Sequence, residues 1–133
     1  MARSELAKRW AVALVGIPTA VALAWIGRWG LGPVLAFFCA LAALELYRLA
    51  GARGIDPLRW PGALAGAALV MLAAAYPAVP AFAPVAWTFV IAFLLVVAAL
   101  AIGRRRTDGR PLMVVAVTTL GAVLPGGAMS FLI

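Results

Sequence analysis

The chain contains no histidine, no asparagine and no glutamine, and Cys39 is its only cysteine. The missing histidine removes the commonest general base, and the missing amides remove common hydrogen-bonding side chains. A single cysteine cannot form an internal disulfide, and no spacing of Cys, His, Asp and Glu matches a metal site. We therefore predict no catalytic, cofactor-binding or metal-binding residue in these 133 residues. Cys39 is predicted to be a small lipid-facing or helix-facing residue.

Acidic residues are also scarce. Glu5, Glu45, Asp56 and Asp108 stand against eleven lysines and arginines, which gives a net charge of +7. In a soluble protein such a balance would indicate nucleic-acid binding. Here the basic residues occupy short gaps between apolar runs, a pattern typical of membrane topology, so we predict no nucleic-acid partner.

Apolar sequence dominates the chain, with 67% hydrophobic residues and a mean hydropathy of +1.13. A soluble domain is about half apolar, and a small one has too little interior to bury such an excess. A membrane span needs about 20 apolar residues. Four uncharged runs meet or approach that length, at Trp10–Gly27, Trp29–Leu44, Trp60–Gly103 and Pro111–Ile133.

The third run is long enough for two crossings and divides at the segment YPAVPAFAP. Pro77, Pro80 and Pro84 each remove a backbone donor, so we expect a tight turn there. The sequence thus predicts an all-α, polytopic integral membrane protein with one transmembrane helical domain over residues 1–133. Its five predicted helices cover residues 10–28, 31–49, 60–77, 83–102 and 111–132.

The basic residues sort to alternate gaps between these helices. Ten of the eleven lie on one side, and Arg28 alone lies on the other. The positive-inside rule then predicts a cytoplasmic N-terminus. A signal peptide cut after Ala24 is the alternative, but the apolar stretch continues past that point to Gly27. Amphipathic aromatic side chains prefer the membrane interface, and their positions fit this topology. The inner interface is predicted to hold Trp10, Tyr47 and Trp60, and the outer one Trp25, Trp29, Tyr76 and Trp87.

Three further features carry two interpretations each. Gly62 and Gly66 form a small-xxx-small face that favours close helix packing within the chain, with a homodimer contact as the alternative. The segment LPGGAMS, Leu124–Ser130, is expected to bend or open its helix, as a packing kink or as the wall of a cavity. Arg104–Arg106 with Arg110 is interpreted as a topology signal, with contact to anionic headgroups as the alternative.

The segment ALELYRLAG holds the only acid within a strongly hydrophobic run, Glu45. Arg48 lies three residues later, so the two side chains share one helix face and can interact. The predicted topology puts them in the last cytoplasmic turn of the second helix, where burial is partial. A structural role is therefore favoured over a reacting carboxylate.

Two parts of the chain resemble the bacterial phosphatidate cytidylyltransferase family, also called CDP-diacylglycerol synthase. The first is LAKRWAVALVGIPTAVAL followed by ALELYRLAG, and the second is VTTLGAVLPGGAMSFLI. The residues that match the family pattern are Arg9, Ile17, Pro18, Glu45, Tyr47, Arg48, Leu49, Thr119, Leu120, Gly121, Leu124, Gly126, Ser130 and Phe131.

The resemblance implies a multi-pass protein of the bacterial inner membrane that acts in phospholipid biosynthesis. Its family converts CTP and phosphatidate into CDP-diacylglycerol and pyrophosphate, with Mg²⁺ serving CTP. The family's C-terminal signature, with its Lys-Asp, Gly-Gly and Asp-Arg-x-Asp groups, is not found here. We therefore expect an N-terminal part of a longer chain that binds no Mg²⁺ and is inactive alone. The alternatives are a small non-enzymatic membrane subunit or carrier fragment, and a regulator whose basic loops bind anionic lipid.

Overall fold

The computed structural model describes residues 16, 18, 21–23, 25–104 and 111–133. All regular secondary structure among them is helical, which confirms the predicted all-α class. Most of the first predicted helix, 10–28, lies outside the described residues, and the positions described up to residue 26 are helical. The four helices with defined bounds are α1 (Arg28–Ala52), α2 (Arg59–Ala75), α3 (Val79–Arg104) and α4 (Pro111–Ser130).

Three of these helices, α1, α3 and α4, are long and apolar enough to cross a membrane. The remaining helix, α2, has 17 residues. At 1.5 Å per residue it is about 25 Å long, slightly less than the roughly 30 Å of a bilayer's hydrocarbon core. The described residues therefore establish three candidate spans, against the five helices predicted from the whole sequence.

Glycines with positive φ angles terminate two helical segments. The chain divides into two compact units, Met1–Leu31 and Gly32–Ile133. In the first unit, Gly27 has a φ of 84° and separates the preceding helical residues from the start of α1. In the second, Gly54 has a φ of 78°, and the N–H groups of Gly54 and Ile55 donate to the carbonyls of Gly51 and Ala50. This pair of hydrogen bonds is a Schellman motif, and it satisfies two of the last carbonyls of α1.

The predicted proline turn is shorter than the sequence suggested. The chain is non-helical only at residues 76–78, and α3 begins at Val79 rather than at residue 83. Pro80 fits because the first turn of a helix has N–H groups without intrahelical acceptors. Pro84 lies further inside α3, where Thr88 donates its hydroxyl to the Pro84 carbonyl at 2.8 Å. Helical geometry therefore extends through two of the three prolines.

The segment around Pro125 also differs from expectation. α4 continues through Pro125, Gly126 and Gly127 to Ser130, so the helix does not open there. Proline has no N–H to donate to the carbonyl of Gly121, four residues before it. Inside a membrane protein, a helix tolerates this loss where neighbouring groups surround the freed carbonyl. Gly121 is buried, which agrees with such surroundings.

The helices of the second unit approach most closely at glycines. A Cβ atom added at Gly66 of α2 would lie 3.0 Å from the carbonyl oxygen of Ala122 and 3.0 Å from the sulfur of Cys39. A Cβ added at Gly126 of α4 would lie 3.1 Å from the Gly66 carbonyl oxygen. Backbone-to-backbone packing of this kind confirms the predicted intramolecular role of the Gly62–Gly66 face. Cys39 is completely buried here, so its helix-facing interpretation is the correct one.

We expect Gly66→Ala to lower the free energy of unfolding by about 1–3 kcal/mol, because the added methyl group must push apart two backbones. Chemical denaturation of the protein in detergent micelles, followed by circular dichroism, measures this change. Gly103→Ala is the matched control, since a Cβ at Gly103 meets nothing within 4 Å. An equal loss of stability in both variants would contradict the close-packing argument.

Candidate functional site

One face of α1 is buried against the other helices of its unit. Ala36, Cys39, Ala43 and Tyr47 are spaced three or four residues apart, so they lie on the same side of the helix. Tyr47 is completely buried. Its side chain therefore packs inside the protein and does not face lipid headgroups, while its predicted level at the inner interface stays a prediction.

Tyr47 occupies a slot formed by two glycines from different helices. A Cβ atom at Gly62 of α2 would overlap the tyrosine hydroxyl, and one at Gly121 of α4 would overlap its ring. The hydroxyl donates a hydrogen bond of 2.7 Å to the backbone carbonyl of Thr118 in α4. Because a buried phenol without a partner is costly, this bond makes the complete burial of Tyr47 tolerable.

Thr118 connects the same position to the start of α2. Its side-chain oxygen accepts a hydrogen bond of 3.1 Å from the backbone N–H of Leu58, the residue that precedes α2. The Leu58 N–H lies at the start of α2 and has no intrahelical acceptor, so a hydroxyl from a distant helix satisfies it. We call Tyr47, Thr118, Leu58, Gly62 and Gly121 the tyrosine node.

Thr119 lies next to the tyrosine node and has unused hydrogen-bonding capacity. Its hydroxyl oxygen is buried and makes no hydrogen bond to any described residue. A helical threonine commonly bonds to the carbonyl four residues earlier, so this unpaired group is unusual. Thr119 is also one of the positions that carry the family resemblance.

The tyrosine node predicts graded effects of substitution at Tyr47. Tyr47→Phe removes one buried hydrogen bond and should cost about 0.5–1.5 kcal/mol, whereas Tyr47→Ala also empties the slot and should cost about 3–5 kcal/mol. Unfolding curves in detergent measure both. Tyr76→Phe is the control because Tyr76 is an exposed tyrosine, and it should change little. Equal effects of the two Tyr47 variants would contradict the slot.

Glu45 and Arg48, the charged pair singled out in the sequence, are both exposed on α1. No ion pair between them is found in the described part of the chain. Among those residues, no group of three or more Cys, His, Asp and Glu side chains lies together. The remaining acids, Glu5 and Asp108, lie outside the described residues, as do Arg105, Arg106 and Arg110 and the side chain of Arg104.

An apolar cavity of about 440 Å³ lies between the C-terminal ends of α2 and α4 and the start of α3. Ser130 contributes a hydroxyl to its wall, but that hydroxyl donates to the Gly126 carbonyl at 2.6 Å and is already satisfied. No charged side chain belongs to the lining. The described lining residues are Leu69, Ala73, Tyr76, Pro77, Val79, Phe82, Ala83, Ala86, Trp87, Val90, Val123, Gly127, Ser130, Phe131 and Ile133.

The interpretation of LPGGAMS as the wall of a cavity agrees with the lining, which includes Gly127 and Ser130, but sequence reasoning did not identify the α2 and α3 sides of the cavity. The wall residues of α2 and α3 are mostly apolar types that are too common in this chain to give a signal. Five of the aromatic residues predicted at the membrane interfaces are exposed: Trp25, Trp29, Trp60, Tyr76 and Trp87. Their interfacial role stays a prediction.

Comparisons of the chain with protein-family models, with curated proteins and with solved structures find no match.

Proposed function

We propose that this chain is the membrane part of a phosphatidate cytidylyltransferase in a bacterial inner membrane. One observation carries the proposal. The two segments that resemble the family, ALELYRLAG and VTTLGAVLPGGAMSFLI, are far apart in sequence but contact each other through Tyr47 and Gly121. Both residues belong to the matching positions.

This contact supports the proposal because chance similarity between apolar helices does not require the matching positions to fit together. Tyr47 needs a position without a side chain opposite its ring, and Gly121 provides it. The matched residues are therefore assigned a framework role. Glu45 and Arg48 also match, but they are exposed and make no interaction that points to chemistry.

The whole enzyme would form CDP-diacylglycerol by attack of a phosphatidate phosphate oxygen on the α-phosphorus of CTP, with pyrophosphate leaving. Glu45 and Asp56 are the only side-chain carboxylates among the described residues, and no group of three or more possible metal ligands lies together there. That this stretch binds no Mg²⁺ stays a prediction, and we assign no step of the reaction to its residues.

The function test is a chimera in which this chain replaces the corresponding N-terminal helices of an established bacterial phosphatidate cytidylyltransferase. In proteoliposomes with phosphatidate and labelled CTP, we expect the chimera to form labelled CDP-diacylglycerol. The 133-residue chain alone should form none, because it lacks the acidic signature. If the isolated chain formed labelled CDP-diacylglycerol, the family's C-terminal signature would not be needed for the reaction, and the proposal would be wrong on this point.

A folded but inactive chimera would favour the non-enzymatic subunit instead. Folding is checked by monodisperse elution in detergent and by helical circular dichroism. Tyr47→Ala in the chimera should lower the yield of folded protein, since it empties the slot between α1, α2 and α4. Glu45→Gln should leave turnover of the folded fraction unchanged, because Glu45 is exposed and serves no site described here.

The same proposal includes an orientation, with the α1–α2 loop in the cytoplasm. Arg53 and Arg59 flank this loop, and exposed Trp60 follows it, whereas the turn at residues 76–78 is uncharged. Short loops rich in arginine are retained on the cytoplasmic side.

Cysteine labelling in intact cells tests the orientation. A membrane-impermeant maleimide should label Ala78→Cys in intact spheroplasts, and should label Arg53→Cys only after the membrane is permeabilised. Both positions are exposed. The unmodified chain is the control, because its one cysteine, Cys39, is completely buried and should not react. The reverse labelling pattern would invert the topology.

The Gly62–Gly66 face is already packed within its own chain and is not proposed as a homodimer contact. Both glycines are buried against residues of their own chain, namely Tyr47, Cys39 and Ala122. The proposed partners are membrane lipids, with phosphatidate and CTP as substrates of the complete enzyme.

A further inference from the structure

We propose that the cavity between α2, α3 and α4 binds an acyl chain of a membrane phospholipid. This inference rests on the apolar, membrane-spanning character of α3 and α4 and not on the cytidylyltransferase proposal. At about 440 Å³, the cavity lies within the usual range of ligand sites, about 300–1,000 Å³.

The chemistry of the wall favours a hydrocarbon occupant. Ordered water needs two to four polar partners, and an apolar cavity without them stays dry. Ser130, the one aliphatic hydroxyl in the wall, is already bonded to Gly126. An ionic ligand would lose its hydration without gaining an opposite charge, because the lining has no charged side chain. Hydrocarbon is the occupant that loses nothing on entry.

The position of the cavity identifies the source of the hydrocarbon. Its wall includes exposed Val79, Trp87 and Phe131, so it borders surface that membrane lipid would contact. Tyr76, just beyond the end of α2, is also part of the wall and is partly exposed. Amphipathic tyrosine favours the headgroup level, which fits an acyl chain that enters beneath its own headgroup.

Two residues of the wall can distinguish a bound chain from lipid that merely surrounds the protein. Leu69 and Ala73 of α2 line the cavity but are only 5% and 6% exposed, so surrounding lipid has little access to them. Leu94 and Leu95 of α3 are exposed and outside the cavity, so they report surrounding lipid. The ratio of lipid contact at these two pairs therefore measures occupancy of the cavity.

The experiment uses the full chain in nanodiscs made with a phospholipid that carries a photoactivatable diazirine in the middle of one acyl chain. After illumination, peptide mass spectrometry should find label at Leu69 and Ala73 as well as at Leu94 and Leu95. Gly127→Leu should remove most of the label from Leu69 and Ala73 alone. Gly127 lines the cavity, and a Cβ built on it meets nothing within 4 Å, so a larger side chain can enter the open space.

Gly103→Leu is the matched control, because Gly103 also has open space around its Cβ position but is not part of the wall. It should leave the labelling ratio unchanged. Ala83→Leu, which fills the cavity from α3, provides a second test if Gly127→Leu fails to fold by circular dichroism. The proposal would be overturned if Leu69 and Ala73 of the unmodified chain carried no more label than background. It would also be overturned by label that persists in folded cavity-filling variants.

Discussion

The arrangement of the second unit depends on the close approach of α2 and α4, which brings Gly66 and Gly126 almost into backbone contact. In a membrane, helices cannot associate by escaping from water, because lipid tails are as apolar as the side chains. Dispersion contacts and hydrogen bonds must hold them together, and both require short distances. Glycine provides those distances, and the space that remains between the helices is then filled by one large side chain, Tyr47.

Tyr47 makes this contact specific as well as close. Apolar packing alone would allow neighbouring registers of α1 along α2 and α4. The hydrogen bond from Tyr47 to the Thr118 carbonyl, and the bond from Leu58 to the Thr118 hydroxyl, fix one register. Buried polar contacts can specify a single arrangement in this way even where their net contribution to stability is about 1 kcal/mol.

The sequence was sufficient for features that depend on composition and period. The apolar runs predicted helices whose bounds agree within a few residues for α1, α2 and α4, and the Gly62–Gly66 spacing predicted close packing. Features that depend on neighbours were not predictable in the same way. Tyr47 lies two residues before the end of its predicted helix and five residues before the end of α1. Neither position shows that it is buried, because its burial depends on its partners Gly62 and Gly121.

Two proline-containing segments show the same limitation. The prolines of YPAVPAFAP were expected to form a turn before a helix at 83–102, but α3 already begins at Val79, because proline is compatible with the first turn of a helix. The segment around Pro125 was expected to bend or open α4, which does not open and remains helical through Ser130. The cavity, finally, is lined by residues of α2, α3 and α4, and no single segment contains it.

The two long-range hydrogen bonds also impose an order on biosynthesis. Tyr47 and its acceptor are 71 residues apart, and Leu58 and Thr118 are 60 residues apart. The chain is synthesised from its N-terminus, so α1 and α2 are complete before the groups of α4 exist. During that interval the tyrosine hydroxyl and the N–H at the start of α2 lack their final partners. The synthesis of α4 therefore supplies both partners, and an interruption of synthesis before Thr118 would leave the Tyr47 hydroxyl and the Leu58 N–H without them.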